Sequence, residues 1–160
     1  MINLSAILNS RPHAFAIING GKEHPKIKGF VRFYNTNTGI IVYTQVSGLP
    51  VQNKECLSPV FGFHIHEGEE CTGNKNDEFA DTKMHYNPQD CKHPNHAGDM
   101  PPLFENNGYA VSVFLTDRFT LKEIINKTVI IHSNTDDFTT QPSGNAGTKI
   151  VCGKIQLNRK

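Results

Sequence analysis

The chain has 160 residues, which fits one domain, taken as 1–160 with its core at about 12–158, and is long enough for a real hydrophobic core. Its formal net charge is +1, from 16 Lys+Arg against 15 Asp+Glu, a near-balance that argues against nucleic-acid and polybasic membrane-surface partners. With 37% hydrophobic and 19% charged residues it is neither a disordered nor a membrane-embedded chain.

The N-terminus, MINLSAILNSRPHAFAIING, has no basic region followed by an unbroken apolar run, and no stretch approaches the roughly 18 apolar residues of a membrane span. The expected location is therefore cytoplasmic, with an exported mature form as the alternative. Strand-like segments follow at 12–18, 27–35, 39–46, 60–66, 109–115, 128–132 and 149–157. In the second of these, Phe30, Arg32 and Tyr34 alternate with Gly29, Val31 and Phe33, the period of a strand with two different faces. Turn signals separate the segments at Asn19-Gly20-Gly21, at 35–39 and at Gly48-Leu49-Pro50. Only 120–126 (TLKEIIN) reads as helical, one or two turns long. The expected fold is all-β: a Greek-key sandwich or barrel of about eight antiparallel strands with one long metal-binding loop.

That loop, 67–107, runs about forty residues with almost no apolar periodicity, a length uncommon in compact domains unless function or cross-links order it. A shorter irregular stretch covers 133–148. Histidines concentrate around the long loop. Of eight in the chain, His64, His66, His85, His93 and His96 fall within 33 residues. In a strand, His64 and His66 project from one face and can converge on one ion, while Phe63 and Ile65 enter the core behind them. An isolated H-x-H pair is weak evidence, since most are ordinary surface. The set His85, His93, His96 and Asp99 is stronger, because three imidazoles and a carboxylate form a tetrahedral donor set suited to zinc. His132 closes an apolar strand and precedes Asp136-Asp137. The four cysteines, Cys56, Cys71, Cys91 and Cys152, suit an oxidised framework with three alternative pairings, buried inert thiols, or a thiolate ligand. They contain no CxxC, which argues against a zinc finger or thioredoxin-type site.

The anchors GFHIHE (62–67), HYNP (85–88), HAGD (96–99), the VIIH–DD run (129–137) and GNAGTKIVCG (144–153) together resemble the copper–zinc superoxide dismutase family, over about 14–155. The short step from His66 to Cys71 and the segment GDMPPL (98–103) are closer to its bacterial branch. The resemblance implies copper held by His64, His66, His85 and His132, and zinc held by His85, His93, His96 and Asp99. His85 would be the shared imidazole and a catalytic residue. Asp136 would link a copper histidine to a zinc histidine, and Cys71 and Cys152 would form the family's disulfide. The implied substrate is the superoxide anion, converted to dioxygen and hydrogen peroxide as copper alternates between Cu(II) and Cu(I). A homodimer is among the assemblies the family forms.

Three departures from the family pattern stand out. Lys149 occupies the position of the arginine that guides superoxide, keeping the charge but losing the planar fork; the resemblance makes it, with His85, a catalytic residue and the expected source of local anion steering. His96 follows His93 by only three residues, a shortened zinc arm that relies on a turn at Pro94-Asn95. The stretch after His132 is also trimmed. Cys56 and Cys91 have no assignable counterparts in the family and could pair with each other, remain free thiols, or, for Cys91, enter the zinc site. His13 and His24 read as surface residues, and Asn126-Lys127-Thr128 reads as a turn entering a strand rather than a glycosylated sequon. The rival to an enzyme is a dismutase-like module that buffers or delivers copper or zinc without turnover.

Overall fold

A computed structural model describes residues 2–51 and 59–159 of the chain. Strands β1 (Ala14–Gly20), β2 (Lys28–Thr36) and β3 (Gly39–Ser47) form a meander, its second hairpin closed by the two residues Asn37 and Thr38. The chain then crosses to the opposite edge, where β4 (Val60–Phe61) and β5 (Phe63–His66) lie. After the long loop and β6 (Leu103–Phe104) it returns as β7 (Tyr109–Thr116) beside β3. It crosses once more to β8 (Thr128–His132), and β9 (Lys149–Lys154) joins β8 to β1. The resulting antiparallel order is β5-β8-β9-β1-β2-β3-β7, with β10 (Gln156–Leu157) on β1 and β4 paired with β6. These crossings over the ends of one curled sheet give the expected all-β, Greek-key architecture.

Two segments expected as single strands are each divided, for the same reason. Gly62 donates to Asn134 O and accepts from the His132 amide, both at 2.8 Å, so β4 is released to pair with β6. Ile155 donates to Lys127 O and accepts from the Asn126 amide, which frees β10 to turn onto β1. The helix expected over 120–126 is α2 (Leu121–Ile124), with the Glu123 carboxylate accepting from the Thr120 amide and hydroxyl. It ends where Asn126 enters the left-handed region at φ 70°. A helix that the sequence pattern did not announce, α1 (Leu4–Leu8), is capped by the Asn3 side chain and buries no residue, so it leaves no periodic apolar face to read.

The core lies between the faces of the curled sheet, around Val31, Phe33, Val42, Phe63, Ile65, Val129, Ile131 and Ile155, all completely buried. A smaller cluster of Phe79, Ile130 and Cys152 sits under the long loop. There the Cys71–Cys152 disulfide fastens the loop to β9 across 81 residues, a closure worth roughly 4–5 kcal/mol in the chain-entropy model. No helix among the described residues is long and apolar enough to cross a membrane.

Candidate metal centre

The edge of the sheet builds the site. β5 pairs with β8 through Phe63–Ile131, His64–Ile130, Ile65–Val129 and His66–Thr128, which brings His132 near the two β5 histidines. On the other edge of β5 the long loop acts as a makeshift strand. Ile65 donates to Gly98 O at 2.9 Å and accepts from Tyr86 N–H at 2.8 Å, and Glu67 donates to Met84 O. These bonds place His85 and Asp99 against His66 and His64, respectively. A Cβ at Gly98 would overlap the Ile65 carbonyl, so the close approach requires glycine there.

Two groups of ligand-type atoms result: His64, His66, His85 and His132, and His85, His93, His96 and Asp99. Within each group the atoms lie within 4.8 Å of one another, and all seven residues are buried. Most ring nitrogens that face away from the groups have partners that fix the tautomer. His64 Nε2–H donates to Asp136 Oδ2 at 2.7 Å, His66 Nδ1–H to Lys83 O at 2.9 Å and His132 Nδ1–H to Gly147 O at 3.3 Å. His93 Nε2–H donates to the other oxygen of Asp136 at 2.9 Å, so one carboxylate orients a histidine from each group. The nitrogens facing inward are left bare. His64 Nδ1, His85 Nε2, His93 Nδ1 and His96 Nδ1 are buried without a hydrogen-bond partner. His66 Nε2 and His132 Nε2 face each other at 3.2 Å. His85 alone turns a nitrogen toward each group, Nε2 to the first and Nδ1, 2.8 Å from Asp99 Oδ1, to the second.

Buried polar atoms without partners are costly, and a bound cation removes that cost. The first set is all imidazole, which suits copper. The second is three imidazoles and a carboxylate, which suits zinc. The residues therefore fit both metals. Burial also keeps the rings ready, since it pushes His64 down to about 4, His132 down to about 3 and His66 well below the usual imidazole value. At neutral pH these rings do not hold a competing proton. Burial works against ionisation of Asp136, but hydrogen bonds from His64, the Phe138 amide and His93 hold its carboxyl far below the usual range. Asp99 is likewise held low, because the hydrogen bond from His85 and the neighbouring histidines outweigh its burial.

Arg118, which the sequence offered no reason to select, holds the shortened arm. Its guanidinium donates to Pro94 O at 2.9 Å, His96 O at 3.3 Å and Asp99 O at 3.4 Å. The expected turn forms at Pro94-Asn95, with Asn95 donating to Lys92 O. Gly144, at φ 68°, lies so close to Asp136 and His93 that a Cβ would overlap the carboxylate. Lys149 lies opposite His132 in the β8–β9 register, but its ammonium is 2.8 Å from Asp77 Oδ2 and donates to Phe79 O at 3.0 Å. Cys91 is exposed, unbridged and outside both groups; its suggested partner, Cys56, lies outside the described residues. His13 accepts from the Asn35 amide, far from the site, and Thr128 of the sequon is buried in β8, donating to Gly68 O.

A curled antiparallel sheet carrying two adjoining histidine centres with one imidazole in common defines a class of β-sheet metalloprotein, and the comparisons place the chain within it. The family model described as copper/zinc superoxide dismutase matches residues 27–155. A copper–zinc superoxide dismutase of Aquifex aeolicus is 33% identical over 171 residues, covering 98% of this chain and 92% of the relative. The enzyme of Legionella pneumophila is 31% identical over 140 residues, covering 82% and 80%. Among solved structures, a double mutant of a SOD-like protein from Bacillus subtilis superposes with a TM-score of 0.72 at 27% identity, covering 91% of this chain and 97% of that one. The chain belongs to the copper/zinc superoxide dismutase family, and bacterial members are among its best matches.

Proposed function

We propose that this protein is a superoxide dismutase that holds copper with His64, His66, His85 and His132 and zinc with His85, His93, His96 and Asp99. The observation that carries the reading is His85, a buried ring with one nitrogen directed into each group. Copper, when bound, supplies the one-electron chemistry that dismutation requires, and zinc does not change oxidation state. The chain's own residues supply order and protons. The Asp136, Lys83 and Gly147 acceptors fix three rings of the first group before any ion arrives, which lowers the reorganisation that binding would demand. His85 Nε2 has no protein partner, so whenever copper does not occupy that lone pair it is the atom at which a proton would be held for the peroxide product. Asp136 couples the centres, since displacing one oxygen moves His64 and displacing the other moves His93.

Reconstitution with copper and zinc, followed by metal analysis and a superoxide-consumption assay, tests this. One copper and one zinc per chain with turnover proportional to copper is the expected result. A second reading, a non-catalytic metal-buffering module, draws support from the pairing of Lys149 with Asp77 and from the likeness to a SOD-like protein. Near-stoichiometric copper without superoxide consumption decides for that module and against the enzyme.

A further inference from the structure

Lys149, which lies opposite His132 in the β8–β9 register, does not stand free. Its Nζ is 2.8 Å from Asp77 Oδ2, and the lysine side chain is only 14% exposed while the carboxylate is 41% exposed. The carboxylate is therefore the member of the pair that solvent reaches more readily. The arrangement is built rather than incidental. Asp77 Oδ1 accepts from the Phe79 amide at 3.0 Å, and the Phe79 carbonyl accepts from Lys149, so one turn of the long loop fixes both partners. The cavity beside them, about 470 Å³, is lined by Lys22, Lys75 and Lys149 and, matching them in number, by Glu23, Asp77 and Glu78. No uncompensated positive charge on that wall replaces what Asp77 cancels.

We propose that Asp77 is the counter-ion of Lys149 and, by cancelling its charge in the local field, restrains anion capture at the neighbouring copper group, as a specificity residue. The inference rests on the copper assignment above and concerns how strongly that site attracts an anion. Coulomb's law gives the direction: removing one negative charge several ångströms from an arriving anion strengthens its binding, and salt screens the gain.

The test is a cycle of Asp77→Asn, Lys149→Gln and the double variant, with copper and zinc loaded. Azide affinity is read from the copper absorption spectrum, and superoxide consumption is followed against ionic strength. Asparagine keeps an oxygen for the Phe79 amide, and Asp77→Ala serves as a second replacement. Asp77→Asn is expected to tighten azide binding roughly three- to tenfold at low salt, with the gain fading at high salt. Lys149→Gln is expected to weaken it, and the double variant to lie near wild type, because neutral replaces neutral. In metal-free protein, reductive methylation of Lys149, quantified by mass spectrometry, is expected to speed up in both Asp77 variants. Unchanged or weaker azide binding in Asp77→Asn, a double variant that matches Lys149→Gln, or an unaltered methylation rate would overturn the proposal. If the wild type binds copper but consumes no superoxide, the dismutase reading fails while the azide and methylation results still decide the role of Asp77.

Discussion

Asp136 is the residue on which the geometry of both centres converges. Its two oxygens accept from His64 and His93, and it keeps its charge because those bonds and the Phe138 amide favour the carboxylate over the acid. Replacement by alanine frees two rings at once. Copper and zinc affinities are both expected to drop about 10- to 100-fold, measured by competition with a chelator. A loss confined to one metal would contradict the shared role. Gly144→Ala reaches the same carboxylate by steric means, through a left-handed backbone position and a Cβ overlapping Asp136. It is expected to lower both thermal stability and zinc affinity, whereas Arg118→Ala should lower zinc affinity with copper affinity largely retained. The ligand types and the His64-x-His66 spacing were legible in the sequence because a strand's period of two is a local property. Asp77 and Arg118 were not, because each meets its partner only through chain reversals of 72 and about 20 residues.

At the scale of elements, the site depends on a loop that borrows order from its neighbours. The loop adds backbone bonds along β5, an ion pair from Lys154 to Glu70, and the bridge from Cys71 to Cys152. The exposed ion pair contributes little. Converting both bridge cysteines to serine is expected to cost about 2–5 kcal/mol in urea denaturation of the metal-free protein. A loss well below 1 kcal/mol would show that the backbone bonds already hold the loop. The strand segments were readable from alternation and turn residues, as at Gly48-Leu49-Pro50. The breaks at Gly62 and Ile155 were not, because they arise from hydrogen bonds to distant loop residues. The disulfide pairing and the role of Asp136 came from resemblance to a family; the cysteine spacings alone left every pairing open.

Across the whole molecule, the histidine centre ties stability to pH. His64 and His132 stay neutral in the folded metal-free protein down to about 4 and about 3, because burial disfavours the imidazolium, whereas the unfolded chain takes up those protons below about 6.5. Between those limits the unfolded state binds more protons, so this contribution to stability is complete above about pH 6.5 and is lost as the pH falls toward 4 and then 3. Asp99 and Asp136, with lowered carboxyl values, add a loss in the same direction below the usual carboxylate range. The urea midpoint of metal-free protein is therefore expected to fall from pH 7 to pH 4, and a flat profile there would contradict the buried neutral histidines. Metal ions that occupy the bare nitrogens should raise the midpoint and flatten this dependence.

The near-zero net charge gives the molecule as a whole little field with which to draw in an anion, so the proposed dismutation rests on the His85 centre rather than on long-range attraction. Titration of copper into the zinc-loaded protein, with superoxide decay followed at each addition, addresses that centre most directly. The expected decay rate rises linearly and breaks at one copper per chain, and His85→Ala loses most of the rise. Copper bound to one equivalent with no superoxide decay, or an undiminished rise in His85→Ala, would contradict a dismutase built on a shared histidine.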